Sequence, residues 1–328
     1  MQRDSVSDPQ SNNYKWFVLA ILTVVYAFNF IDRQILVILQ EPIKAELGLS
    51  DTQLGLLTGF SFAVVYVTAG IPIAWLADRS NRRNIVAVSL GIWSVMTALS
   101  GMVQNYTQLL LARLGVGLGE AGGSPPSHSM LSDYFPEEQR GTALSIYTTG
   151  IYLGIFFGYF AGGWIADTYG WRNAFFIVGI PGVVLAFLLL LLVREPPRTL
   201  LPNAVENEKA SFKETIVFLL QRPAFWWIAL GCSTASFVGY GNGNFFPSLL
   251  IRNYGLTVTE VGMFMGVISG STGMLGTFLG GYLADRWGKR DKRWYVRIAL
   301  WGLILSLPLS YYTLLGSEPL YVVLAYTP

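Results

Sequence analysis

The feature that most constrains this chain is a succession of long apolar stretches separated by short polar breaks. A helix needs ~20 mostly apolar residues to cross a bilayer, because hydrocarbon offers backbone groups no other partner. Nine complete stretches occur, at 15–40, 52–77, 85–103, 107–131, 141–166, 172–193, 223–250, 258–284 and 294–315, and a tenth opens near Pro319. Composition agrees. Charged residues make up 13% of the chain and mean hydropathy is +0.46, where a soluble domain carries roughly 25% charge. The expected fold is therefore an all-α membrane protein.

The polar breaks carry the orientation. Of the 22 Lys and Arg residues, only Lys44, Arg172 and Arg252 fall on one side, and Arg33 and Arg113 lie within spans. The remainder occupy the N-terminal tail and alternate loops, which the positive-inside rule assigns to the cytoplasm. A multi-pass protein of the cell inner membrane with a cytoplasmic N-terminus is expected. Residues 1–13 are polar and lack the order of a secretory signal, so the first stretch is read as a true span. A net charge of +2 without a basic, aromatic-interleaved stretch gives no sign of nucleic-acid binding. One cysteine (Cys232) excludes a Cys-based metal site, one histidine (His128) argues against a His-ligated metal and a Ser-His-Asp triad, and no cofactor is expected. No phosphate-cradling Gly-x-x-x-x-Gly-Lys-Ser/Thr loop is found, which disfavours an ATP-driven pump.

A repeat divides the chain. Asp78-Arg79-Ser80-Asn81-Arg82-Arg83 follows the second span, and Asp285-Arg286-Trp287-Gly288-Lys289-Arg290 follows the eighth. Paired halves of this kind mark transporters. The expected division is an N-terminal six-helix bundle over 1–193, a cytoplasmic linker over 194–222 and a C-terminal bundle over 223–328. The repeat implies three further helices in the second bundle, which is read as incomplete.

Charges inside a membrane are costly and point to function. Asp32 and Arg33 lie in span 1, Arg113 and Glu120 in span 4. At 1.5 Å per residue, Asp32 and Arg113 fall about 12 and 9 Å from the same end of the bundle, so they can meet. Glu120 lies about 10 Å deeper on nearly the same face as Arg113, with no charge within a turn of its own helix. Burial without a partner favours protonation, so Glu120 is the expected proton carrier and Asp32 a coupling residue. Arg33 and Arg113 are candidate substrate or coupling cations. Span 7 holds Tyr240, Asn242 and Asn244 among glycines and Pro247, and a helix break lining a cavity is expected there. Glycines at spacing four in span 5 (Gly150, Gly154, Gly158, Gly162) and span 8 (Gly262, Gly266, Gly270) read as ridges facing each other across the seam between halves. Gly117-x-Gly119-x-x-Gly122 spells a dinucleotide fingerprint, but it sits in an apolar helix and not after a strand, so it is dismissed. His128 is read as an interfacial residue.

Gly281-x-x-x-Asp285-Arg286-x-Gly288-Lys289-Arg290 resembles the loop motif of the major facilitator superfamily. Its first copy departs, with Ala74 and Asn81 in place of two glycines. Asp167-Thr168-Tyr169-Gly170-Trp171-Arg172 is similar to the same superfamily. Asn29-Phe30-Ile31-Asp32-Arg33, Arg113 with Gly119-Glu120-Ala121, and Asp133-Tyr134-Phe135-Pro136 resemble bacterial members of the Spinster branch. Organic-anion and sugar-acid porters share much of this pattern. The resemblance implies two pseudo-symmetric six-helix bundles and a cytoplasmic gate made by Asp78, Arg79, Arg82, Arg83, Asp285, Arg286, Lys289 and Arg290, latched when the protein faces outward. It also implies a monomeric, proton-coupled transporter of an amphiphilic lipid, such as a lysophospholipid or sphingolipid. Small organic anions or sugar acids are the runner-up cargo, and a non-transporting membrane receptor is the reading from another class. An enzyme is not expected.

Overall fold

A computed structural model of the chain describes residues 12–198 and 212–316, with 318 and 322 beyond them. The tenth stretch, from Pro319, and most of the linker lie outside the described residues. Every described element is helical. The first span is α1 (Asn12–Ile38), which breaks at Leu39 into the short α2 (Gln40–Leu47). Gly48, at φ 64°, closes α2 in the left-handed conformation that suits glycine. Ser50 and Gln53 then form a reciprocal capping box that opens α3 (Asp51–Gly55). That helix passes through a π-helical turn at Leu56–Phe60 into α4 (Ser61–Ala77). Asn81 and Asn105 cap α5 (Arg82–Ser100) and α6 (Tyr106–Glu120) by accepting backbone N–H bonds.

The chain bends at Ala121–Gly123 before α7 (Ser124–Tyr134). The expected fourth span is thus two helices. Pro125 and Pro126 lack the N–H groups that would bond back across the bend. Next come α8 (Glu137–Tyr169), α9 (Trp171–Leu192), α10 (Phe212–Leu220), α11 (Pro223–Tyr254), α12 (Val258–Gly288) and α13 (Trp294–Leu315). Among the described residues, seven helices are by themselves long and apolar enough to cross a membrane. The exceptions among the nine expected spans are the fourth, which is split, and the seventh, which is diluted by its polar residues.

The expected break in span 7 is absent: α11 runs on through Pro247. A tertiary contact steadies the helix there, since Gln40 Nε2 donates to the Asn244 carbonyl at 2.8 Å. The glycine ridges also pair differently from expectation. A Cβ at Gly150 would lie 2.6 Å from the Thr23 carbonyl oxygen, and one at Gly154 would lie 2.5 Å from that of Ala27. The span 5 ridge therefore seats α8 on α1, inside the first half. The span 8 ridge does meet α8, but on its other face, against Tyr152, Phe156, Tyr159 and Gly163. One helix thus has two close-packed sides, a distinction that spacing within one helix does not carry.

Two apolar clusters organise the bundle. One lies wholly within the first half and includes Val18, Leu22, Leu90, Trp93, Val116 and Tyr147. The other joins both halves through Leu39, Ile43, Leu54 and Leu57 on one side and Phe246, Leu250, Val261 and Met265 on the other. It lies at the end of the bundle away from the Arg79–Arg83 loop, called here the far end. Towards the opposite, basic end the seam closes as far as a hydroxyl contact between Tyr152 and Thr277. Beyond it Gly280 and Gly281 face open space.

Candidate functional site

The four charges that the sequence places inside the bundle form two crossed pairs between α1 and α6. Arg113 Nη1 donates to Asp32 Oδ1 at 3.0 Å, and Thr97 Oγ1 from α5 donates to Asp32 Oδ2 at 2.5 Å. Arg33 Nε donates to Glu120 Oε2 at 2.7 Å. Asp32, Arg113 and Glu120 are 1%, 2% and 0% exposed, so three of the four are shut off from solvent. Burial at this depth demands a counter-charge, and the crossed arrangement supplies one to each group.

The Asp32–Arg113 pair meets as the depth argument requires. Glu120 departs from expectation. It is not left without a counter-charge, because Arg33, 87 residues earlier, reaches it from the neighbouring helix. Distance along one helix could not reveal a partner on another. Glu120 is also the last residue of α6, so its carboxylate stands where the backbone bends. The Arg33 guanidinium carbon lies 4.8 Å from the Phe62 ring centroid, 5.1 Å from that of Phe30 and 5.2 Å from that of Tyr66. Facing ring quadrupoles replace part of the cation's lost hydration. Two polar atoms here, Glu120 Oε1 and Arg113 Nε, are buried without a hydrogen-bond partner among the described residues.

A cavity of about 60 Å³ opens beside these pairs. Phe30, Arg33, Gln34, Leu36 and Val37 of α1 line it, with Thr58, Phe62 and Arg113, and with Tyr240 and Asn244 of the second half. Four of the candidate binding residues, Arg33, Arg113, Tyr240 and Asn244, thus line one cavity. Asn242 does not: it is exposed and outside the lining. In an unbroken helix, positions two apart point in different directions. Thr97, Gln34 and Thr58 carry no charge and no motif, and sequence reasoning passed over them.

At the basic end the gate residues are engaged by the first half and the start of the linker, or exposed. Arg82 is buried against Asp133 at 2.5 Å, Glu195 at 2.7 Å and Ser129 at 2.8 Å. Arg83 donates to the carbonyls of Leu190 and Val193, and Arg79 stacks on Trp75 at 3.8 Å. Asp78, Asp285, Arg286, Lys289 and Arg290 are exposed. Among the described residues neither Asp78 nor Asp285 makes an ion pair, and the expected latch is not seen among them. Asp133 and Glu195 are the acids that hold this end, and the first was visible in sequence only as part of a family pattern. His128 is exposed, as an interfacial residue would be, and its ring meets Tyr147 edge-on at 5.0 Å. Gly119 sits against the backbone of Trp93 within a helix pair, far from any dinucleotide-binding geometry.

The far end is closed by charge. Arg252 of α11 reaches Glu41 at 2.7 Å and Asp51 at 2.6 Å, and Lys44 reaches Asp51 at 2.7 Å. Nearby, the Trp171 indole N–H donates to Glu46 at 2.6 Å and Arg172 pairs with the same carboxylate. The Trp171 hydrogen bond, followed by that of Arg172, holds the Glu46 carboxyl below the usual range.

The model of the Major Facilitator Superfamily matches residues 22–327. An MFS-type efflux pump of Mycolicibacterium smegmatis is 38% identical over 295 residues, which cover 90% of this chain and 68% of that protein. A probable galactarate/D-glucarate transporter of Bacillus subtilis is 27% identical over 301 residues, covering 84% of this chain and 66% of that protein. The chain thus spans about two thirds of the length of these curated relatives. A crystal structure of a bacterial homologue of the human lysosomal transporter Spinster, inward-facing and unoccupied, superposes with a TM-score of 0.82 at 34% identity. That match covers 96% of this chain and 73% of the other.

Proposed function

Since the chain belongs to the Major Facilitator Superfamily, we propose that it works as a secondary active transporter by alternating access. The observation that carries this reading is the cavity at the seam, where a wall from each half meets two buried arginine–carboxylate pairs. A receptor or scaffold has no use for four charges at that depth. The far end is closed by ion pairs, and towards the basic end the described helices meet no further along the seam than Tyr152 and Thr277. Together with the likeness to an inward-facing relative, this supports a state facing the basic side, which the positive-inside rule makes the cytoplasm of a cell with this protein in its inner membrane.

The cargo is proposed as an amphiphilic anion. Arg33 and Arg113 offer positive charge, and Phe30, Leu36, Val37, Phe62 and Tyr240 offer an apolar wall. A few polar groups in an apolar lining suit a molecule with a phosphate or carboxylate head and a hydrocarbon body, such as a lysophospholipid or a sphingolipid. The second reading, a small organic anion or sugar acid, is favoured by the D-glucarate relative. The driving ion is proposed as the proton, carried by Glu120 and coupled to cargo through Asp32 and Arg113. Glu120 exchanges its proton when Arg33 turns from it to the anionic cargo. The carboxyl is then sealed without a counter-charge, a condition that favours its protonated form. The functional unit is proposed as a monomer that binds no nucleic acid.

Uptake into proteoliposomes tests all of this at once. Lysolipids, sphingoid phosphates and sugar acids are offered with and without a pH gradient. Gradient-driven accumulation of the amphiphiles is expected. Accumulation of sugar acids alone selects the second reading, and no flux of any class removes the transport reading.

A further inference from the structure

Asn244 lines the cavity from the second half, and two elements of the first half converge on it. Gln40 opens α2 just after the break at Leu39. It is fully buried, and its Nε2 donates to the Asn244 carbonyl at 2.8 Å. Thr58 lies in the π-helical turn, and its carbonyl accepts from Asn244 Nδ2 at 3.5 Å. Next to Asn244, the Phe245 ring packs on Gly55, 3.5 Å from where a Cβ would be, an ordinary van der Waals distance. A π-helical turn is a costly local irregularity and is found disproportionately at functional sites. Gln40, just after the break at Leu39, likewise lies against α11. These two irregularities of the first half therefore meet at the same contact. The two bonds differ in kind. Gln40 holds the backbone of Asn244 firmly, while the side-chain amide is held at the limit of hydrogen bonding and is free to turn to a ligand.

We propose that Gln40 is a positioning residue for substrate binding: by fixing the Asn244 backbone across the seam, it sets the Asn244 amide in the cavity wall. The proposal rests on the reading of this cavity as the cargo site. It has a consequence for the transport cycle. Opening the far end pulls Asn244 away from Gln40 and Thr58, so the wall loses its ordered amide in that state. Cargo then binds more tightly when the far end is closed and is released more readily when it opens. A ligand that distinguishes two conformations in this way is what shifts their populations.

Two measurements test it, one of which needs no ligand. In a Cys232→Ser background, Asn244→Cys is reacted with a small thiol reagent, with Gln40 intact and with Gln40→Met. Methionine keeps the volume and removes the donor. A rise in labelling rate of about five- to tenfold is expected, the size of one lost buried hydrogen bond. Equal rates overturn the positioning role whatever the cargo is. The second measurement is equilibrium binding of lysophosphatidylglycerol and of D-glucarate to the wild type, Gln40→Met, Asn244→Ala and the double variant. Each single change is expected to weaken the bound class about five- to tenfold, with the double variant no weaker than Asn244→Ala. Additive losses, or unchanged binding by Gln40→Met, overturn the proposal. If neither compound binds the wild type while the labelling rates differ, the cargo reading fails and the positioning of Asn244 stands. Spin labels at Ala45 and Asn253 report whether the far end stays closed in Gln40→Met, as the Arg252 pairs require.

Discussion

Asp32 and Glu120 are both buried carboxylates, and the difference between them lies in their partners. Asp32 accepts two bonds, from Thr97 and Arg113, and is held on both oxygens. Glu120 accepts from Arg33 on one oxygen and leaves the other without a partner among the described residues. The half-satisfied group is the one whose state changes at least cost when Arg33 moves. Glu120→Gln is therefore expected to abolish pH-gradient-driven flux while leaving cargo binding measurable. Proteoliposome flux and equilibrium binding on the same preparation check this. A variant that still concentrates cargo in a proton-dependent way shifts the role to Asp32. The candidates Asp32, Arg33, Arg113 and Glu120 were legible from sequence because a charge in an apolar run is conspicuous. Thr97 and Gln40 were not, since a polar uncharged residue at a helix position acquires meaning only from what faces it.

At the scale of elements, α8 is the organising helix, close-packed on α1 by one face and on α12 by the other. A Cβ at Gly154 would meet both the Ala27 carbonyl and the Phe30 side chain at 2.5 Å, contacts that no rotamer relieves. Gly154→Ala is expected to destabilise the first half by about 1–3 kcal/mol, the range for overpacking. Thermal unfolding in detergent reads this as a lowered Tm. Gly231→Ala, at a position with open space around it, is the control and leaves Tm unchanged or raised. The loop elements respond to acid instead. The folded protein holds the Glu46 carboxyl below its ordinary value, so its contribution is complete above the unfolded value of about 4.3. It is lost as pH falls through the depressed folded value. The Tm difference between wild type and Glu46→Gln, measured from pH 6 to pH 3, should shrink towards the acid end.

For the whole molecule, the two ends of the seam differ in chemistry. Arg252 and its two acids close the far end, while Asp78 and Asp285 at the basic end make no ion pair among the described residues. If the basic-end acids form their latch only in the opposite state, Asp285→Asn removes stabilisation from that state alone. Spin-label distances across the basic end should then shift towards the open arrangement described here. An unchanged distribution confines Asp285 to marking topology. Orientation has its own test at Asn203, in the part of the linker outside the described residues. Asn203→Cys, in a Cys232→Ser background, should resist an impermeant thiol reagent added to intact cells. Rapid labelling from outside reverses the assignment of the basic end to the cytoplasm.

The sequence by itself determined the membrane class, the positions of most spans, the basic side and the four interior charges. Each of these follows from local composition, because transfer into hydrocarbon is decided residue by residue and turn by turn. Tertiary structure alone decided which charge pairs with which, that α8 offers α12 a face other than its glycine ridge, and that α11 continues through Pro247. It also decided that the break after Leu39 and the turn at Leu56–Phe60 converge on Asn244. These are relations between helices. A helix fixes the spacing of its own side chains but not the rotation at which a neighbour meets them, and only packing settles that rotation.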